Sequence, residues 1–115
     1  MNTVILAGEL VDNALLRGTK VKALIFTVQT KTGLKDSEGK EQTTCVPAVM
    51  FNPGESLGQR LVEQGKGQFV LFQGRVEGTR FDQRNGQEHY NAEVVVYNKS
   101  FILAIPQVPS GEQAQ

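Results

Sequence analysis

The chain has no tryptophan, one cysteine and one histidine among its 115 residues. A single thiol, Cys45, excludes an internal disulfide and fits a reducing compartment. His89 lies far from it in sequence, and a lone histidine with a lone, distant cysteine makes neither a metal site nor a nucleophile pair. Gly65, Gly67 and Gly74 lack the strand–loop–helix setting that a phosphate-cradling loop requires. Enzymatic chemistry, a cofactor and a bound metal are therefore not expected. No apolar run reaches membrane-spanning length, and the opening MNTVILAGEL has neither the basic start nor the long apolar stretch of a signal peptide. Excess charge of one sign is missing too: 12 Lys+Arg offset 12 Asp+Glu, so any surface for an anionic ligand has to be a local stripe. A soluble, cytoplasmic protein without a membrane partner is the expectation.

What is present is one modest domain, residues 1–105, followed by a tail, 106–115 (PQVPSGEQAQ), with no apolar periodicity and expected to be disordered. Residues 2–11 read as a strand in which Gly8 marks a bend or a close backbone approach. Residues 20–31 alternate, with Leu24, Phe26 and Val28 on one face and Ile25, Thr27, Gln29 and Lys31 on the other. Residues 32–42 are polar and glycine-punctuated, the pattern of a flexible hairpin loop. In the next strand, 43–51, Cys45, Pro47, Val49 and Phe51 share a face opposite Val46, Ala48 and Met50; the proline suggests an edge or a bulge. Asn52 to Gly65 is a helix with Asn52 as cap, Pro53 in the first turn, Glu55 placed for a capping box, and Leu57 and Leu61 on one face. Strands at Gln68–Val76 and Tyr90–Val96 follow.

Asn85-Gly86 is the strongest short-range signal in the chain, because a two-residue type I′ turn needs two residues that tolerate positive φ. Counted inward from it, Arg84 faces Gln87, Asp82 faces His89 and Phe81 faces Tyr90, with Arg80 beside the pair. The resulting ribbon carries two rings and two arginines, a surface suited to something flat and anionic. Three strands, a helix and two further strands make an all-β, five-stranded Greek-key OB-fold barrel with one helix between strands 3 and 4, an architecture that commonly binds oligonucleotides or oligosaccharides.

Several segments resemble the bacterial single-stranded DNA-binding protein (SSB) family: MNTVILAGEL with Leu16-Arg17, GKEQTTCVPAVMF, and above all GKGQFVLFQGRVEGTRFDQRNGQEHYNAEVVV, with likeness running from Met1 to about Leu103. The resemblance implies an OB-fold that binds single-stranded DNA with little sequence preference in replication, recombination or repair, and a homo-oligomer, most often a tetramer. Cys45 and Phe81 stand where the family usually has tryptophan, while Phe51 matches an aromatic stacking position. Pro47 and Glu77 replace usual basic residues. The chain ends in GEQAQ rather than in the family's acidic, Phe-terminated tip, so recruitment of repair enzymes by that route is doubtful.

The candidate DNA-binding residues are Phe51, Phe81 and Tyr90 for stacking, and Arg80, Arg84, Lys66, Lys31, Lys35 and Lys40 for phosphates, with Arg17 and Lys99 weaker. Each has a plainer reading: a core ring, a cross-strand pair or ordinary solvated charge. Phe26, Phe69 and Phe72 are expected to pack the barrel or a subunit interface. Neutral charge and the missing tryptophans keep open an OB-fold adaptor that contacts proteins and touches DNA weakly or not at all, as well as a specialised paralogue of the family.

Overall fold

Alternating apolar residues curl the chain into a barrel whose elements run β1 (Val4–Leu10), β2 (Leu15–Arg17), β3 (Ala23–Lys35), β4 (Glu41–Phe51), α1 (Glu55–Gln64), β5 (Phe69–Arg84), β6 (Gln87–Val96), a 3-10 turn (Asn98–Ser100) and β7 (Ile102–Ala104). This computed structural model describes residues 1–84 and 87–104, and the side chains of these except 79–90 and 104. Strands pair in the order β1–β3–β4–β6–β5, and β5 returns to β1, closing a ring of five; β2 adds to β3 and β7 to β5. All contacts in the ring are antiparallel except β4 with β6. This is the expected OB-fold, with α1 between the third and fourth strands of the ring.

The period of two decides what lies inside. Leu24, Phe26 and Val28 of β3 meet Ala48 and Met50 of β4, Val70 and Phe72 of β5, and Val94 and Val96 of β6 in one buried cluster. Phe26 packs edge-on to Phe72 at 5.9 Å, and Phe101 stacks on Phe72 at 6.0 Å, contacts worth about 0.5–1.5 kcal/mol each beyond area burial. The helix closes one end: Leu61 is fully buried in the cluster with Leu10 and Ala14, and its carbonyl accepts a hydrogen bond from the Ala14 N–H. Phe69 departs from the barrel-core reading. Val70 and Phe72 take the inward positions of β5, so Phe69 and Leu71 face out and Phe69 is 42% exposed.

Two glycines make ring closure possible. Gly8 lies where β1 passes from β5 to β3, and a Cβ there would sit 2.2 Å from the Gln29 carbonyl oxygen. Gly74 pairs with Val4 of β1 and with Val96 of β6, and a Cβ there would sit 2.3 Å from the Val95 carbonyl oxygen. Both obstacles are backbone and cannot swing aside.

Several expectations need correction. Asn52 is not the helix cap; Gly54 is, without a side-chain cap hydrogen bond. Asn52 instead takes φ +50° and ties β4 to β3, its N–H donating to the Lys22 carbonyl and its Oδ1 accepting from the Lys22 N–H. The supposed loop 32–42 shrinks to a turn at 36–40, because β3 reaches Lys35 and β4 starts at Glu41. Exposure on both faces hides the alternation there, and the turn itself is held by Asp36 Oδ1, which accepts from the N–H groups of Glu38 and Lys40. The short strands β2 and β7, three residues each, gave no periodic signal. In the ribbon, Arg84 does pair with Gln87, but a register shift puts Phe81 opposite His89 and Arg80 opposite Tyr90. Between those pairs, Asp82 and Gln83 of β5 oppose Glu88 alone, the signature of a β-bulge, which counting from the turn cannot see. Asn85, Gly86 and the tail 106–115 lie outside the described residues.

Gly74→Ala should lower stability by about 1–3 kcal/mol or prevent folding, whereas Gly39→Ala, in open space at the β3–β4 turn, should cost only the strain of its positive φ. Urea unfolding midpoints of the two variants check this. Equal losses would show that closure does not depend on the close approach at Gly74.

Candidate functional site

The outward positions of β4 form a track. Phe51, Val49, Pro47, Cys45 and Thr43 alternate with the buried Ala48 and Met50, and all but Val49 are exposed; the Phe51 side chain is 44% exposed. Their partners across β3 are Ala23, Ile25, Thr27, Gln29 and Lys31. Pro47 suits its place, because β4 pairs with β6 only from Ala48 onward and upstream of that point is an edge on that side.

Topology then brings two arms together. β4 and β6 run parallel, so the hairpin feeding β4 and the hairpin feeding β6 leave the barrel in the same sense. The first carries Lys31, Lys35 and Lys40, and the second carries Arg80, Phe81, Arg84 and Tyr90. The side chains of those last four lie outside the described residues, so only their register is placed. Lys66 does not join this group. It sits in the connection from α1 to β5, its N–H donating to Asn13 Oδ1, at the opposite end of β5 from Arg80 and Arg84.

Charge on this surface is partly compensated. Lys31 Nζ lies 2.8 Å from Glu41 Oε2, and that hydrogen bond raises its pKa above the ordinary lysine value. An exposed pair of this kind contributes little to stability, but it leaves Lys31 a poorer phosphate ligand than Lys35 or Lys40. Deeper on the face, Glu77 stands directly opposite Glu93, a like-charge pair that no phosphate would choose.

Two residues that the sequence did not single out complete the face. Arg75 lies on β5 opposite Val95, and both its Nε and Nη2 reach Oε2 of Glu77, at 2.7 and 2.6 Å. The same guanidinium sits 5.9 Å from the centroid of the Tyr97 ring, and the Glu77 hydrogen bond raises its pKa further above the usual arginine value. Val49 pairs with Val95, so Tyr97 follows β6 out beside Phe51, and Asn98 Nδ2 pins the two strand ends by donating to the carbonyls of Phe51 (2.7 Å) and Asn52 (3.1 Å). Carrying the Val95–Tyr97 alternation one step past the last strand residue would have found the ring.

Among the described residues no three His, Cys, Asp or Glu side chains group as a metal site, and no helix is long and apolar enough to cross a membrane. The sequence profile of the "Single-strand binding protein family" matches residues 1–102. Single-stranded DNA-binding protein 3 of Listeria innocua is 27% identical over 105 residues, covering 89% of this chain and 64% of the relative. Single-stranded DNA-binding protein 2 of Streptococcus pyogenes is 28% identical, covering 85% and 60%. The chain thus spans somewhat less than two thirds of the length of these relatives. The fold matches the Plasmodium falciparum SSB solved in complex with ssDNA, at TM-score 0.66 and 18% identity over 90% of this chain and 92% of that one. It also matches a deletion mutant of the single-stranded DNA-binding protein from Thermus aquaticus, at TM-score 0.65 and 17% identity over 91% and 51%.

Cys45 is free and exposed on the track. A maleimide should therefore titrate one thiol per chain in native buffer, counted by intact mass. Labelling only after denaturant is added would mean that the outer face of β4 is covered.

Proposed function

The chain belongs to the single-strand binding protein family, and from that premise we propose that it binds single-stranded DNA with little sequence preference. The observation that carries the reading is the continuous outer face of β4, running from the exposed Phe51 ring to the base of two arms that leave the barrel together. Bases stack on Phe51 and Phe81, with Tyr90 supporting the ribbon, while Arg80, Arg84, Lys35 and Lys40 contact phosphates and release counterions. Lys31 is a secondary contact because of Glu41, and Lys66 meets only strand that continues around the barrel. Such a protein holds exposed strands during replication, recombination or repair in the cytoplasm, and the task needs no bond-breaking chemistry.

The same proposal includes a homo-oligomer, a tetramer by family likeness. Ile5, Phe69, Leu71 and Ile102 are exposed on the outer side of β1, β5 and β7, where Leu71 pairs with Ile102 and with Ala7, and Phe69 with Glu9. A sheet face so apolar and so poor in charge suits a second copy of itself better than DNA.

Titrating a labelled oligo-dT at low and high salt tests the binding. The expected result is association at micromolar protein or below in low salt, with an affinity that falls at about −0.7 in log–log slope for each phosphate contacted. Phe51→Ala and Phe81→Ala should each weaken binding by about 1–3 kcal/mol without loss of fold. Absence of binding in low salt would turn the reading toward a protein-contacting adaptor. For the assembly, Leu71→Glu should shift the mass measured by light scattering toward the monomer; an unchanged oligomer would move the interface elsewhere.

A further inference from the structure

The Glu77–Arg75–Tyr97 contacts ask for an explanation that phosphate binding does not supply. Glu77 and the opposing Glu93 outnumber Arg75, so this patch carries a net negative charge and would repel the DNA backbone. Arg75 also already has an anionic partner. Its Nε–Nη2 edge meets Glu77 two residues along the strand, with the guanidinium 5.9 Å from the centroid of the Tyr97 ring. What remains open is flat surface: the side chain of Arg75 is 40% exposed, Tyr97 is 39% exposed and the neighbouring Phe51 is 44% exposed. Guanidinium planes and aromatic rings are both surfaces on which an unpaired nucleobase stacks. The Val49–Val95 pairing and the Asn98 hydrogen bonds hold this surface next to Phe51.

We propose that Arg75 and Tyr97 form a second nucleobase-stacking station beside Phe51, and that Glu77 is a positioning residue that holds the Arg75 guanidinium over the Tyr97 ring. The ligand is the base of a single strand, not its phosphate. The inference rests on the single-stranded DNA reading and names a further subsite of it. It also reverses the sense of Glu77: the acid that looks like a loss for DNA binding instead builds a contact.

Arg75→Lys separates the two roles of the arginine, since it keeps the charge and loses the plane. Oligo-dT affinity of the folded protein is followed by anisotropy of the labelled oligonucleotide at low and high salt, with thermal melts confirming fold. Arg75→Lys and Tyr97→Leu should each weaken binding at least about fivefold at both salts. Glu77→Gln should weaken it at high salt, where screening removes any benefit of deleting a negative charge. The chain has two tyrosines and no tryptophan, so tyrosine emission is readable, and Tyr97→Phe should remove part of the emission change that oligo-dT causes. The station is overturned if Arg75→Lys binds as tightly as the parent, if Glu77→Gln binds more tightly at both salts, or if the emission change is the same in Tyr97→Phe. Those results with Phe51→Ala still impaired would remove the station alone. Failure of the parent protein to bind oligo-dT at low salt would remove the DNA reading and the station together.

Discussion

Two strands have to change partners for this barrel to close, and at each change a backbone carbonyl occupies the space a side chain would need. β1 leaves β5 for β3 around Gly8, and β5 is shared between β1 and β6 at Gly74. With a Cβ at either point the ladders would be pushed apart and the sheet left open, with unpaired N–H and C=O groups along its edges. The packed interior depends on the same closure, because Phe72, Val70 and Leu10 come from the strands that turn these corners. On the outer face, the parallel meeting of β4 and β6 is another link of that ring, and it sets both the common direction of the two arms and the neighbouring placement of Phe51 and Tyr97.

The chemistry of the outer face follows from the neutral composition. A chain with equal numbers of acids and bases cannot attract a polyanion through its overall field, and two of its cations, Lys31 and Arg75, are paired with acids. Flat, partly exposed side chains are what it offers in compensation. Stacking does not depend on net charge and accepts any base, so a surface of rings with a clamped guanidinium fits a ligand read by shape rather than by sequence. On the proposed reading, phosphate contacts fall to the arms, where Lys35 and Lys40 stand away from the acid pair at Glu77 and Glu93.

How legible was this in the sequence? Where burial is one-sided, legibility was high: Leu24, Phe26 and Val28 inward with Ile25 and Gln29 outward, and Ala48 and Met50 against Cys45 and Phe51, are a period-two code that survives folding unchanged. It failed where neither face is buried, as in the arm from Lys31 to Thr43, because solvent on both sides imposes no alternation on a strand held by its backbone ladder. It failed again at Asn52, whose residue type suits a helix cap equally well; only the nearby Lys22 backbone decided its use. Phe69 looked like core by type, and its position opposite Glu9 placed it outside.

By itself the sequence determined the order of the main strands and helix, the inner face of each half-buried strand, the close backbone approach at Gly8 and the outward face of Phe51, because these depend on residue type and near neighbours. Register and encounter were decided by tertiary structure. The bulge at Asp82-Gln83 moved Tyr90 from Phe81 to Arg80, the parallel β4–β6 contact joined two arms more than forty residues apart in the chain, and cross-strand packing laid Arg75 over Tyr97. Such contacts are fixed by how strands slide and wrap against one another, a property of the closed ring that no window of sequence contains.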